Sequence, residues 1–249
     1  MRLSWLLTVT LLSCAGCTSP PEATDLESLI ARHVDARGGA PAIEQVRTFE
    51  SDIHIVEPTF EVDGIYQATR DGSMRIDIRI AGERVFTEAL HQGRGWSWSP
   101  EAGVREASEK GVTALRHGIE FPLKLFGLHE MRRRGHRLEL VGSETVAGVN
   151  YHVVRLTLDD GFECRYYVNP ETWLIERERT RRAMHVDVDP TEQSIETVYS
   201  DFRPVSGVLY PHQHVERVVD SGQLLSTATI RSIRINAELD PSKFLPSLD

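Results

Sequence analysis

Cysteine is scarce in this chain: three occur in 249 residues, and two of them, Cys14 and Cys17, stand near the start. Cys164 is left alone in the body, so no intradomain disulfide can staple it and stability must come from a packed core. The alternation Phe162-Glu163-Cys164-Arg165-Tyr166 places that thiol on the buried face of a strand, with no neighbour that would activate it. Long apolar runs are missing too. Leu3 to Leu12 falls short of the roughly 20 residues that cross a bilayer, and no later stretch is long enough. There is no Gly-x-Ser-x-Gly, no Gly-rich phosphate loop and no His-Glu-x-x-His, which removes the common signatures of nucleophilic, nucleotide and zinc chemistry. Basic charge is also in deficit, with 28 Lys and Arg against 37 Asp and Glu and a formal charge of -9. A body this acidic is repelled by phosphates, so nucleic acid is excluded as a partner.

What the sequence does have begins at its first residues. Arg2 precedes the run Leu3 to Leu12, the pattern of a secretory signal. Leu11-Leu12-Ser13-Cys14-Ala15-Gly16-Cys17 resembles the bacterial lipobox, in which small residues precede a cysteine that takes a diacylglyceryl group. Cys14 has Leu11 and Ser13 in the preferred places; Cys17 has Ala15-Gly16 but carries Cys14 where Leu is usual. Cys14 is favoured, with Cys17 the alternative. The expected organisation is a signal peptide over 1–16 with cleavage before Cys14 or Cys17, a flexible tether over 17–24 and one domain over 25–249. Neither cysteine is followed by Asp, which by the same resemblance points to the outer membrane, facing the periplasm. The mature chain is then anchored and does not span.

Beyond the tether about 225 residues remain, enough for a single all-β domain. Leu26, Leu29, Ile30 and Val34 recur at helical spacing, with Thr24 or Asp25 as cap and Gly38-Gly39 as stop. Pro41 to Val46 suits one further helical turn. From Arg47 the period becomes two: Met74, Ile76, Ile78 and Ile80 alternate with Arg75, Asp77 and Arg79. Similar runs separated by Asp-Gly, Ala-Gly and Ser-Gly turns predict an antiparallel meander of about eleven strands. One stretch breaks the period. From Ala107 to Arg134 the apolar residues are dense and Pro122 interrupts, so this segment is expected to cover the sheet as one or two helices.

Several features in order resemble one family. They are the lipobox, the helix ending in Gly38-Gly39, the mid-chain helical insertion, Gly95-Trp96-Ser97-Trp98, Tyr167-Val168-Asn169-Pro170-Glu171-Thr172-Trp173-Leu174, Gly207-Val208-Leu209-Tyr210-Pro211-His212, Ile235-Asn236 and Phe244-Leu245-Pro246. Together they are similar to the outer membrane lipoprotein-sorting proteins of the LolA/LolB-like superfamily. The resemblance implies a mainly β (α+β) fold, a curled antiparallel sheet forming an unclosed β-barrel with an N-terminal helix and a helical lid. It also implies an apolar concavity for acyl chains of a lipid or lipoprotein, without a cofactor or catalytic residue.

Candidate cavity and lid residues are Trp96, Trp98, Leu115, Ile119, Phe121, Leu125, Phe126 and Leu128. Trp96 and Trp98 share a strand face, as cavity lining or as core. The insertion residues form either a gate that swings or a cover packed permanently. His212 and His214 also share a face, but without a third ligand they are weak metal candidates. The leading function is acyl-chain binding in envelope transport or sorting. The alternatives are a stress-sensing or scaffolding module that binds envelope proteins, and, more remotely, a metal-assisted hydrolase. Membrane fractionation checks the anchor: the Cys14→Ala, Cys17→Ala double variant is expected to move from the membrane to the soluble fraction, and unchanged membrane association removes the lipoprotein assignment.

Overall fold

Asp25, the first of the residues 25–246 that the computed structural model describes, caps α1 (Leu26–Ala36) by accepting a 2.8 Å hydrogen bond from the Ser28 amide. Cys14, Cys17 and the tether lie outside the described residues. Leu29, Ile30 and Val34 are buried along one helix face, as their spacing predicts. The helix stops at Gly38, whose φ is +119° and where a Cβ would lie 1.9 Å from the Gly207 carbonyl oxygen. Only glycine permits that approach, and it seats the helix end against a turn 170 residues later. A short α2 (Ala40–Glu44), with Pro41 near its start, follows.

The strands are β1 (Thr48–Val56), β2 (Glu61–Thr69), β3 (Met74–Ile80), β4 (Glu83–His91), β5 (Arg94–Ser99) and β6 (Gly103–Glu106), then, after the insertion, β7 (Arg137–Val146), β8 (Val149–Thr157), β9 (Glu163–Val168), β10 (Ile175–Arg182), β11 (Gln193–Val205), β12 (Val208–Val218) and β13 (Leu224–Ile235). There are thirteen where the pattern predicts about eleven. The two added strands are β5 and β6. β6 is a four-residue edge strand, Gly-Val-Arg-Glu, without apolar alternation, and β5 is reached through a Gln92-Gly93 turn with both φ positive.

All strands pair in one antiparallel sheet, in the order β6-β5-β4-β3-β2-β1-β13-β12-β11-β10-β9-β8-β7. Two meanders therefore meet where the first strand pairs with the last, Phe49 opposite Ile235 and Val56 opposite Thr227. The free edges are β6 and β7, and they are consecutive in the chain. The insertion that joins them starts at one edge of the open barrel and ends at the other.

The sheet is curled, because inner-face residues of both meanders meet in one cluster. Phe49, Tyr66, Met74 and Leu90 pack with Leu138, Leu156, Tyr166 and Tyr210, with Leu29 of α1 and with Leu125, Phe126 and Leu128 of the insertion. The insertion opens with α3 (Glu109–Glu120), capped by Ser108. It ends where Phe121 precedes Pro122, in extended conformation at φ -62°, ψ 138°, because a residue before proline is pushed out of the helical region. Two 3-10 turns, Leu128–Glu130 and Arg132–Arg134, complete it.

That irregular stretch has carbonyls without helical partners, and two arginines supply donors. Arg37, 2% exposed, donates to the carbonyls of Pro122 at 2.9 Å and Leu123 at 3.1 Å. Arg70 donates to Leu125 O at 2.7 Å and to the buried Glu130 carboxylate at 2.7 Å. An unmatched buried carbonyl costs about 1–3 kcal/mol. Replacing Arg37 with Met is therefore expected to lower unfolding stability by on the order of 3 kcal/mol, read as a fall in the urea midpoint at unchanged slope.

Candidate functional site

Between the insertion and the sheet lies a cavity of about 750 Å³, within the range of about 300–1,000 Å³ for small-molecule sites. Strand alternation gives it two unlike walls. Phe49 and Ile53 of β1, Ile230 and Ile233 of β13 and Tyr210 of β12 face Phe121 and Leu123 of the insertion and Phe162 of the β8–β9 turn, forming an apolar wall. Beside it in the sheet, the inner positions of β10, β11 and β12 carry Glu178, Arg182, Thr197, Tyr199, His214 and Glu216. The register explains this row, since Thr197 stands opposite both Glu178 and Glu216, and Tyr199 opposite His214.

The polar wall is internally bonded. Tyr199 donates its hydroxyl to Glu178 at 2.8 Å, and Arg182 pairs with Glu216 at 2.7 Å. Burial pushes the Glu178 carboxyl above the usual carboxylate range, with the Tyr199 bond acting against it. Burial, helped by Lys124 and His212, lowers His214 from 6.5 to about 4, so it is neutral near pH 7. Lys124, from the insertion, also lines the cavity, and burial lowers its ammonium.

Exposed lining residues Glu109, Lys110, Arg181 and Glu192 mark the mouth, between α3 and the β10–β11 loop. There the Asp187 carboxylate accepts from the Ser108 amide at 3.1 Å and from the Ser108 hydroxyl, so the loop caps α3 from outside. Farther along α3, Asp160 takes hydrogen bonds from Arg116 at 2.6 Å and His117 at 2.7 Å. Burial raises Asp160, but the His117 bond and the Phe162 amide outweigh it and hold the carboxyl at about 2.

Of the residues singled out from sequence, Phe121 lines the cavity. Ile119, Leu125, Phe126 and Leu128 are buried in the main cluster and Leu115 packs against it. Trp96 and Trp98 do share a strand face, but it is the outer one, away from the cavity. Trp96 pairs with Ala89 while the neighbouring inner positions are Leu90 and Gly95. The absent side chain at Gly95 leaves room for Leu115, whose methyl a Cβ there would meet at 3.3 Å. Outside, Trp96 Nε1 donates to Phe244 O at 2.8 Å and Trp98 lies 4.1 Å beneath the Arg84 guanidinium.

His212 is buried, with Nδ1 3.0 Å from Tyr210 O, and among the described residues no group of three or more His, Cys, Asp or Glu could hold a metal. The acidic loop residues separate into different roles: Asp187 caps α3, Asp189 bonds the Thr191 amide and Glu192 pairs with Arg181. Arg132, Arg133 and Arg134 are paired with Glu27, Glu44 and Glu120. Sequence reasoning missed Lys124 and the β10–β12 polar row. A signal was present in Glu178-Arg179-Thr180-Arg181-Arg182, where neither alternation offers an apolar face.

No family model matches the chain, and no curated protein matches its sequence. Solved structures do match. A LolA superfamily protein from Nitrosomonas europaea is 14% identical over 90% of this chain and 98% of its own, with a TM-score of 0.53. A domain from Vibrio parahaemolyticus, described as outer membrane lipoprotein-sorting, is 10% identical over 86% and 94%, with a TM-score of 0.58. A DUF1329 family protein from Desulfovibrio piger is 15% identical over 89% and 98%, with a TM-score of 0.55. The fold is LolA-like, an unclosed barrel with helical elements.

The cavity histidine sets an acid limit. Because His214 titrates at about 4 folded and 6.5 unfolded, the unfolded chain binds its proton first as pH falls, so stability present above 6.5 is lost on the way to 4. The loss amounts to about 3 kcal/mol at 1.36 kcal/mol per pKa unit. Denaturation at successive pH values is expected to show a shallower decline over that interval in His214→Asn; an unchanged slope would locate the loss elsewhere.

Proposed function

We propose that this chain is a lipid-anchored periplasmic binding protein that holds acyl chains of a lipid or lipoprotein in its cavity during envelope transport or sorting. The observation that carries this reading is the 750 Å³ cavity, walled on one side by aromatic and aliphatic side chains and open at a mouth beside α3. Each methylene moved from water onto such a wall is favourable by about 0.8 kcal/mol, so a single long chain supplies enough driving force. The description of the Vibrio parahaemolyticus domain as lipoprotein-sorting supports the same class. The lipobox at Cys14 and Cys17 supports attachment to the outer membrane, and among the described residues no helix is long and apolar enough to cross a membrane. The Vibrio parahaemolyticus domain is described by sorting and not by catalysis, which favours a binding role over an enzymatic one.

A second reading, an interaction module for an envelope protein, is favoured by apolar side chains exposed on hairpin tips and on the loop at the mouth end: Phe60 at 49%, Ile80 at 48% and Val188 at 77%. Crosslinking to a protein partner that is indifferent to cavity occupancy would support it over the first.

For the first reading, the protein purified without its anchor is expected to carry co-extracted lipid in mass spectrometry and to brighten a fluorescent acyl probe. Ile53→Arg, which places a charge on the apolar wall, is expected to weaken the probe by tenfold or more, about 1.4 kcal/mol. A protein that is free of lipid and inert to the probe overturns this function.

A further inference from the structure

An acyl chain needs no charge inside its cavity, yet Lys124 extends its ammonium there. Taking such a group out of water costs several kcal/mol unless a partner compensates, and this one has little compensation. It makes one long hydrogen bond, 3.4 Å to Gly118 O, and lies 4.8 Å from the centre of the buried Tyr66 ring. Among the described residues no carboxylate forms an ion pair with it, whereas Arg182 has Glu216 at 2.7 Å and Arg181 has Glu192 at 3.2 Å. The ammonium's remaining donor capacity has no partner among the described residues.

Its surroundings favour an anion as the missing partner. Glu178 faces Lys124 across the cavity, but its carboxyl already accepts the Tyr199 hydroxyl, and burial favours its neutral form. His214, also facing inward, is neutral near pH 7, and Glu216 is matched by Arg182. Position matters as well. Lys124 is fixed where Tyr210, 1% exposed, donates its hydroxyl to the Lys124 carbonyl at 3.2 Å, at the buried end away from the mouth marked by Glu109, Lys110 and Glu192. The lysine stem is held by the same irregular segment that Arg37 and Arg70 fasten, so the ammonium is placed before any ligand arrives.

We infer that Lys124 receives a small anionic headgroup, a carboxylate or a phosphate monoester, of an amphiphile whose acyl chain lies along the Phe49, Ile53 and Phe162 wall toward the mouth. This rests on the cavity being an acyl site. It adds that the ligand enters charge first, which selects free anionic amphiphiles over chains with bulky heads.

The test uses the chain complete except for Cys14→Ala and Cys17→Ala, with dodecanoate, dodecyl phosphate and dodecanol competing against an uncharged fluorescent acyl probe. One or both anions are expected to bind about tenfold or more tightly than the alcohol, the scale of one charge-assisted hydrogen bond. The stronger anion tells a fatty carboxylate from a phosphate. Lys124→Met is expected to bring the anions down to the level that dodecanol has in the same variant, with a cooperative urea transition reporting that the variant is folded; Lys124→Arg retains the preference. Equal binding of acid and alcohol in the parent chain, or a preference that survives Lys124→Met, overturns the headgroup site while the acyl cavity stands. Failure of all three ligands, dodecanol included, overturns the acyl reading itself and this inference with it.

Discussion

From Phe121 to Gly127 the backbone is neither helix nor sheet, and four of its carbonyls, at Pro122, Leu123, Leu125 and Phe126, are taken up by the guanidinium groups of Arg37 and Arg70. Backbone polar groups withdrawn from water must be paired, so this arrangement decides where the cover can sit. Arg37 stands at the C-terminal end of α1 and Arg70 just after β2, which pins the insertion to the N-terminal helix and to one meander. Phe126 is further held between the two guanidinium groups of Arg70 and Arg134, 4.7 and 3.6 Å from its ring centre. A cover bound this way is a wall of the cavity.

The ties on α3 are of another kind. The Ser108 bonds to Asp187 are exposed, and the Arg116 pair with Asp160 is partly exposed. Exposed ion pairs contribute about 0–1 kcal/mol, far below the cost of orphaning the carbonyls under Arg37. The polar ties at the mouth are therefore weaker than those on the segment after Pro122, while Ile119 and Leu115 hold α3 to the core by apolar packing.

The unlike walls of the cavity follow from topology. Pairing β1 with β13 brings Phe49 and Ile53 beside Ile230 and Ile233, which builds the apolar side from opposite ends of the chain. The polar side comes from three consecutive strands, where Glu178, Thr197 and Glu216 align in one row. Burying such a row is unfavourable unless its members bond each other, as Glu178 does with Tyr199 and Glu216 with Arg182 and Thr197.

Much of the architecture was legible because its cause is local. Alternation at Met74 to Ile80, the Gly38-Gly39 stop and the break before Pro122 all act over a few residues, and each appears where the sequence puts it. The sharing of a face by Trp96 and Trp98 is likewise local and certain from a period of two. Which face they share is not, because it depends on β5 pairing with β4 so that Gly95 lies inside under Leu115. The same holds for Glu178, one of a run of charges from Glu176 to Arg182, and for Lys124, a single charge among apolar residues. The sequence by itself determined the strands other than β5 and β6, the helices and the place of the cover, since hydrophobic period and backbone restrictions are properties of neighbouring residues. Only the tertiary structure decided the inside of the cavity, since strand register and the curl of the sheet, joined by the β1–β13 pairing of residues more than a hundred apart, choose which side of each strand turns inward.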